Sequence, residues 1–249
     1  MTFTEVTLGS KMWSVLLIAF AVTGGKVKST SEECDIKLRD CHSMYPEEQM
    51  EAADKAPNEK ELEKLCPILV KMADCFDNYI KECTDISNFP LFPFYNRDGK
   101  LYKEICEENS ILRPKYLANV DCYKRIENTN VYGSCYGEAA KLYEQYVSFK
   151  SDSKREAVVF GHCKRMPYVL GCEAAEVQRS CGDEATETFI DVERLKDSTN
   201  EVKFCLHDSE QRNEIYNDFL PYIQIPENIR SHINKVLDAL KEEALIDHD

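Results

Sequence analysis

The sequence is poor in the residues that dominate fibrous and low-complexity proteins: 9 of its 249 residues are glycine, 9 are proline and 1 is tryptophan. These counts exclude a collagen-like repeat or a loop-only scaffold. Positive charge is also scarce, since 31 Lys and Arg against 45 Asp and Glu leave a net charge of −14. Nucleic acid and anionic membranes repel so acidic a chain, so neither is expected as the main partner.

Catalytic motifs are missing too, because the sequence contains no GxSxG, HExxH, Walker A or GxGxxG pattern. Two segments faintly resemble secreted phospholipase A2. Residues 132–137 (YGSCYG) resemble its calcium loop, and His207-Asp208 resembles its catalytic dyad. The segment lacks the paired cysteines of that loop and lies about seventy residues from the dyad, so we reject this alternative. We expect a protein that is not an enzyme, with no catalytic residues and no cofactor.

The longest apolar run is Trp13–Val22 (WSVLLIAFAV), preceded by Lys11 and followed by small residues that suit a signal peptidase. Ten residues are too few to span a bilayer. We interpret residues 1–24 as a secretory signal peptide, with a buried N-terminal helix as the alternative. The protein is therefore expected to be secreted and extracellular, without a membrane span. No Asn-x-Ser/Thr sequon occurs, so N-glycans are not expected.

Twelve cysteines follow this segment: Cys34, Cys41, Cys66, Cys75, Cys83, Cys106, Cys122, Cys135, Cys163, Cys172, Cys181 and Cys205. An even count on an oxidising route predicts six disulfide bonds. Zinc is the alternative, but zinc sites usually place two ligands within a few residues of each other, and no CxxC occurs here. We expect no metal site, and we interpret His42 and His162, each beside a cysteine, as neighbours of disulfides rather than bases.

The cysteine spacing contains an internal repeat. Successive cysteines are separated by 6, 24, 8, 7 and 22 residues in the first half and by 12, 27, 8, 8 and 23 in the second. A duplicated six-cysteine module explains this pattern. It divides the chain into residues 25–110, residues 111–206 and a cysteine-free tail, residues 207–249.

Both modules have the periodicity of helices. Apolar residues step by three or four along one stripe in each module: Leu65, Leu69, Met72, Phe76, Tyr79 and Cys83, and Val159, Cys163, Met166, Leu170, Ala174, Val177 and Cys181. Pro67 suits a first turn or a kink, and Gly182 suits a helix end. A further stripe, Ile229, Ile233, Val236 and Leu240, predicts a C-terminal helix that packs on the core or binds a partner. The predicted class is all-α.

Helix geometry also suggests a connectivity, because cysteines on antiparallel neighbours can form nested bridges. Matching Cys34 and Cys41 with Cys66 and Cys75 predicts Cys41–Cys66, Cys34–Cys75 and Cys83–Cys106. The repeat then predicts Cys135–Cys163, Cys122–Cys172 and Cys181–Cys205. Six cysteines allow 15 pairings, so this is a geometric hypothesis.

One segment differs between the modules. Between Cys83 and Cys106 lies a proline-spaced aromatic segment containing Phe89, Leu91, Phe92, Phe94 and Tyr95, whereas its counterpart after Cys181 is acidic and favours a helix. The aromatic segment either covers its own core, lines a pocket for an apolar ligand or presents a binding patch. It is the candidate binding site.

Together, the signal peptide, the Cys34-x6-Cys41 pair and the Cys66-x8-Cys75-x7-Cys83 helix resemble the nematode and arthropod secreted domain known as domain of unknown function nineteen. More loosely, the chain is similar to the cysteine-rich haemolymph glycoproteins of insects. The resemblance covers residues 31 to 206 and implies an extracellular, helical, disulfide-bonded protein with no established activity.

Two functions remain open. One is a structural or binding protein of an arthropod-type secretion such as haemolymph, venom, saliva or silk, with an unknown extracellular protein as its partner. The other is a carrier of a small apolar ligand, for which an enclosed cavity beside Phe92 would be evidence.

Overall fold

The computed structural model describes residues 31–83, 98–150, 158–196 and 199–246. Within these ranges the regular structure is helical without any strand, which confirms the all-α, disulfide-rich class. The first half contains α1 (Ser31–Ser43), α2 (Glu47–Ala52), α3 (Glu59–Cys83) and α4 (Gly99–Cys106). The second half contains α5 (Leu112–Glu127), α6 (Val131–Phe149), α7 (Val158–Cys181), α8 (Asp183–Leu195) and α9 (Asn200–His207). The C-terminal part contains α10 (Ser209–Asn213), a π-helical turn (Glu214–Phe219), α11 (Leu220–Tyr222) and α12 (Glu227–Ile246).

Helix α3 is the central helix of the first half, and a capping box starts it. The Asn58 side chain accepts a hydrogen bond from the Glu61 amide at 3.1 Å, and the Glu61 carboxylate accepts one from the Asn58 amide at 2.7 Å. Pro67 lies in the helix interior rather than in its first turn. The predicted stripe is buried at Leu65, Leu69, Met72, Phe76 and Tyr79.

Helix α7 has the corresponding place in the second half. Its predicted stripe is buried at Cys163, Met166, Leu170, Ala174 and Val177. The helix ends at Cys181, as expected, because Gly182 has a φ of +87°. Glycine adopts this left-handed backbone conformation without a steric penalty from a Cβ atom.

All twelve cysteines form disulfide bonds, but none of the six predicted pairings is present. The observed bonds are Cys34–Cys83, Cys41–Cys75, Cys66–Cys106, Cys122–Cys181, Cys135–Cys172 and Cys163–Cys205. The wrong pairings are Cys41–Cys66, Cys34–Cys75, Cys83–Cys106, Cys135–Cys163, Cys122–Cys172 and Cys181–Cys205. In both halves the first cysteine bonds to the fifth, the second to the fourth and the third to the sixth. A duplicated module would show this shared connectivity, and its boundaries remain a prediction.

The pairing error has a geometric cause. Cys34 and Cys41 lie seven residues apart on α1. They bond to Cys83 and Cys75, which lie eight residues apart on the antiparallel α3, and not to Cys66 and Cys75, which lie nine apart. At a rise of 1.5 Å per residue the two bonded spans are about 10 and 12 Å, which is the closer match. Cys66 lies further toward the start of α3 and bonds to Cys106 of α4 instead.

Helix α12 packs against α7, so the C-terminal helix belongs to the core. Its residues Ile233, Val236 and Leu240 are buried, as the sequence stripe predicts, and Leu237 is buried beside them. Among the described helices, none combines the length and apolarity that crossing a membrane requires.

Two hydrophobic clusters form the core, and helices of the second half contribute to both. The first cluster joins α1–α4 to one face of α5 and to the end of α8, through Leu112, Tyr116, Val120, Val192 and Leu195. The second cluster joins α6, α7, α9 and α12. Because α5 and α8 pack against the first half, the two six-cysteine halves meet along these helices.

Candidate functional site

A cavity of about 530 Å³ lies where the two halves meet. Its walls come from the α2–α3 connection and α4 of the first half, and from α5, α7, α8 and the start of α6 in the second. Small-molecule sites typically have volumes of about 300–1,000 Å³ and combine apolar walls with a few polar groups. The cavity has both properties.

One face of α7 forms the long wall of the cavity. The residues on this face step by four, four, three and four, as neighbours on a helix surface do: His162, Met166, Leu170, Glu173 and Val177. Disulfide bonds from Cys163 to α9 and from Cys172 to α6 hold this helix. The wall therefore belongs to a covalently fixed part of the fold.

Most of the described non-glycine residues with a left-handed backbone conformation line the cavity. Four non-glycine residues in the described ranges have positive φ, namely Asp54 (50°), Lys55 (56°), Asp98 (62°) and Asn130 (53°). The last three of them line the cavity. Asp and Asn tolerate this conformation, whereas a lysine in it costs about 1 kcal/mol or more. Backbone strain of this kind clusters at ligand sites and active sites.

Tyrosines supply the aromatic surface of the cavity. Tyr116 donates a hydrogen bond from its hydroxyl to the Pro57 carbonyl at 3.1 Å, and Tyr123 donates one to the Ala185 carbonyl at 3.0 Å. Burial raises the pKa of both phenols above their usual range, so both stay neutral. Each hydroxyl is bonded to a backbone carbonyl of another element, which restrains both side chains at the cavity.

A cluster of carboxyl groups lies at the α7–α8 side. Glu193 is 5% exposed and forms an ion pair with Lys196 at 2.5 Å. Glu173 has no hydrogen bond or ion pair from the described residues. Burial raises the pKa of the Glu173 carboxyl to about 8. The negative charges of Glu193 and Glu127 raise it further, while Lys196 opposes them.

These groups define what the site can do. A Glu173 carboxyl that titrates near neutral pH can donate a hydrogen bond or form an ion pair with a cation. Burial, and then Arg165, lower the pKa of His162, which favours its neutral form. The described lining contains no Ser, Thr or Cys that could act as a nucleophile. No group of three or more His, Cys, Asp or Glu in the described ranges is arranged to hold a metal ion.

The sequence-predicted binding residues Phe89, Leu91, Phe92, Phe94 and Tyr95 lie outside the described residues. The next described residue along the chain is Asp98, which lines the cavity. His162, interpreted from the sequence as a disulfide neighbour, also lines it. Residues 132–137 form the first turns of α6, so they are not a calcium loop.

Sequence reasoning missed the Glu173–Glu193–Lys196 cluster. A signal for it exists, because Glu173 lies three residues after Leu170 and four before Val177, so it shares a helix face with these apolar residues. A carboxylate at such a position is either paired inside the core or facing a cavity.

No protein-family model, curated protein or solved structure matches this chain. The resemblance to domain of unknown function nineteen therefore remains a prediction from the cysteine spacing.

Proposed function

We propose that this protein is a secreted, extracellular, non-enzymatic binding protein, and that the cavity between its halves carries a small amphipathic ligand. The observation that carries the proposal is the cavity of about 530 Å³ with three left-handed non-glycine residues on its rim. If the cavity were only a packing defect, there would be no reason for most of the residues with a strained backbone to line it.

The disulfide framework supports the same proposal. All six bonds join helices within one half, so the described helices on each side of the cavity are cross-linked to one another independently of a ligand. Binding to a pre-organised cavity avoids the entropy cost of ordering loops. Six disulfides also favour an oxidising, extracellular compartment.

The proposed ligand has a polar group in addition to the apolar body expected from the sequence. The lining combines tyrosines and aliphatic side chains with four carboxylates and two lysines, so the ligand needs a polar group as well as an apolar body. A structural component of an arthropod-type secretion remains the other sequence hypothesis. We favour the carrier because a structural role requires no cavity.

Fluorescence titration with the neutral apolar probe N-phenyl-1-naphthylamine tests the proposal. The probe should bind with one site per chain, and Ile126→Trp, which adds bulk on the cavity wall, should weaken its binding severalfold. Ile111→Trp is the matched control, because Ile111 is 79% exposed at the start of the same helix and outside the cavity. Absence of saturable binding, or equal effects of the two variants, would contradict the proposal.

Native mass spectrometry of protein from its source gives a second test. It should show one chain with six disulfides and an additional mass of a few hundred daltons that is lost on collisional activation. A ligand-free chain in a large homopolymer would favour the structural role.

A further inference from the structure

Resting on the proposed carrier function, we infer that the ligand carries a protonated amine, with Glu173 as its counter-ion and the tyrosine-rich walls around its apolar body. Nothing in the sequence motifs points to this ligand class, and the inference depends on the arrangement of groups around the cavity.

The first step is the distribution of charge. The lining contains Asp98, Glu127, Glu173 and Glu193 against Lys55 and Lys196. Lys196 is engaged with Glu193 at 2.5 Å, and Lys55 forms an ion pair with Glu51 at 3.4 Å. The cavity is therefore short of positive charge, and an anionic ligand would be repelled.

The second step is the position of Glu173. Its carboxyl group lies on the cavity face of α7, and no described residue gives it a hydrogen bond or an ion pair within 4 Å. Glu173 is partly shielded from solvent, and desolvation together with the negative charges of Glu193 and Glu127 raises the pKa of its carboxyl to about 8, so the protonated form is favoured in the unliganded protein at neutral pH. An ammonium group from a ligand would supply the missing partner and stabilise the carboxylate.

The third step is the aromatic surface. The rings of Tyr116 and Tyr123 lie with centroids 6.1 Å apart, and Tyr132 and Phe189 also line the cavity. Aromatic faces attract cations and bind flat apolar bodies. Carboxylate and aromatic groups thus occur together, as recognition of an organic amine requires.

The other titratable groups around Glu173 come from every neighbouring element. Those that line the cavity are His162 on α7, Tyr132 on α6, Tyr116, Tyr123 and Glu127 on α5, Asp98 and Tyr102 at α4, Lys55 before α3, and Glu193 and Lys196 at the end of α8. Glu173 is the carboxylate among them that binding of an amine would ionise.

Competition against N-phenyl-1-naphthylamine at pH 7 tests the inference with three ligands of similar shape: tryptamine, tryptophol and indole-3-propionate. Tryptamine should displace the probe at least tenfold better than tryptophol, and indole-3-propionate should be the weakest. Calorimetry in buffers of different ionisation enthalpy should show release of close to one proton on tryptamine binding and none on tryptophol binding.

Two variants complete the experiment. Glu173→Gln should lower tryptamine binding to the level of tryptophol and abolish proton release, so the readout is the ratio of tryptamine affinity to tryptophol affinity within each variant. Glu187→Gln is the control, since Glu187 is an exposed residue of α8 outside the cavity.

The possible failures are distinguishable. If the probe binds but tryptamine has no advantage over tryptophol, or if Glu173→Gln keeps that advantage, the amine inference is overturned and the carrier function stands. If the probe itself does not bind, the carrier function fails and the inference fails with it.

Discussion

Gly171 of α7 lies directly against Ile233 of α12. A Cβ atom built on Gly171 would be 2.9 Å from the backbone nitrogen of Ile233 and 3.0 Å from its Cα atom. Real Cβ atoms do not approach backbone so closely, so α12 would have to move. The absence of a side chain at this crossing lets the C-terminal helix pack on the core.

Gly171→Ala should therefore destabilise the protein by about 1–3 kcal/mol, because the added methyl group overpacks a helix crossing. Gly137→Ala is the matched control, since Gly137 lies in α6 with no atom within 4 Å of a built Cβ. The control should gain about 0.5–1 kcal/mol from helix propensity. Guanidinium unfolding of the oxidised proteins measures both, and equal stability changes would contradict the close crossing.

The disulfide connectivity can be read directly by tryptic mapping without reduction. A lysine or arginine separates every pair of neighbouring cysteines, so each bond yields its own linked peptides. We expect peptides that join Cys34 to Cys83, Cys41 to Cys75 and Cys66 to Cys106, and the equivalent pairs in the second half. Free thiols are blocked at low pH before digestion, and a peptide joining Cys41 to Cys66 would refute the fold.

A buried ion pair joins α7 to the π-helical turn. Lys164 is fully buried and its ammonium nitrogen lies 3.2 Å from the carboxylate of Glu214, which also accepts a hydrogen bond from Tyr146 at 3.2 Å. Glu214→Gln should cost about 1–3 kcal/mol, because Lys164 loses a counter-charge that burial makes important. The change is measured by chemical unfolding at neutral pH.

Two further variants separate this effect from surface electrostatics. Asp218→Asn removes an exposed partner of Lys150, which also lies 3.7 Å from Glu214, and it should change stability by less than about 0.5 kcal/mol. The double variant Lys164→Met with Glu214→Leu should recover most of the loss. If the double variant loses as much stability as Lys164→Met and Glu214→Leu lose separately when their losses are added, the ion pair contributes nothing.

Glu173 should make the stability of the ligand-free protein depend on pH. Its pKa is about 8 in the folded state and lies near 4.5 in the unfolded chain, so the folded state binds more protons between these values. The unfolding free energy should therefore fall as pH rises from about 5 to 9. Glu173→Gln should remove about 2–4 kcal/mol of this fall.

The measurement is a series of urea unfolding curves from pH 5 to 9. The variant should be more stable than the parent at pH 9 and close to it at pH 5. Glu187→Gln should follow the parent throughout. Parallel curves for the parent and Glu173→Gln would show that Glu173 is not a buried, unpaired carboxyl.

The helices of the core could be predicted from the sequence because burial follows the helical period. Leu65, Leu69 and Met72 on α3, and Met166 and Leu170 on α7, are buried where their spacing places them. The disulfide pairing could not be predicted, since a difference of one residue between two spans decides it and the relative shift of two helices is a tertiary property.

The candidate site is even harder to predict from the sequence than the disulfide pairing, because it also depends on how the helices pack. Glu173 stands in an apolar stripe, so the sequence marks it as unusual, but only the packing of α5 and α8 shows that it faces a cavity. Asn130 is a residue type that tolerates a left-handed backbone, but nothing in the sequence predicts that conformation at Lys55, where the connection between packed helices imposes it. The aromatic segment with Phe92 remains a prediction.

The first–fifth, second–fourth, third–sixth bonds also determine how the protein tolerates cleavage. A cut anywhere between Cys34 and Cys106, or between Cys122 and Cys205, is bridged by at least one bond, so both fragments stay attached. Between Cys106 and Cys122 a single stretch of backbone, without any disulfide across it, connects the two disulfide-bonded halves. Most of that stretch lies in α5. A single cut within either half would therefore leave the molecule in one piece, whereas a single cut in the mostly exposed stretch at residues 107–111, before α5, would separate the two halves covalently.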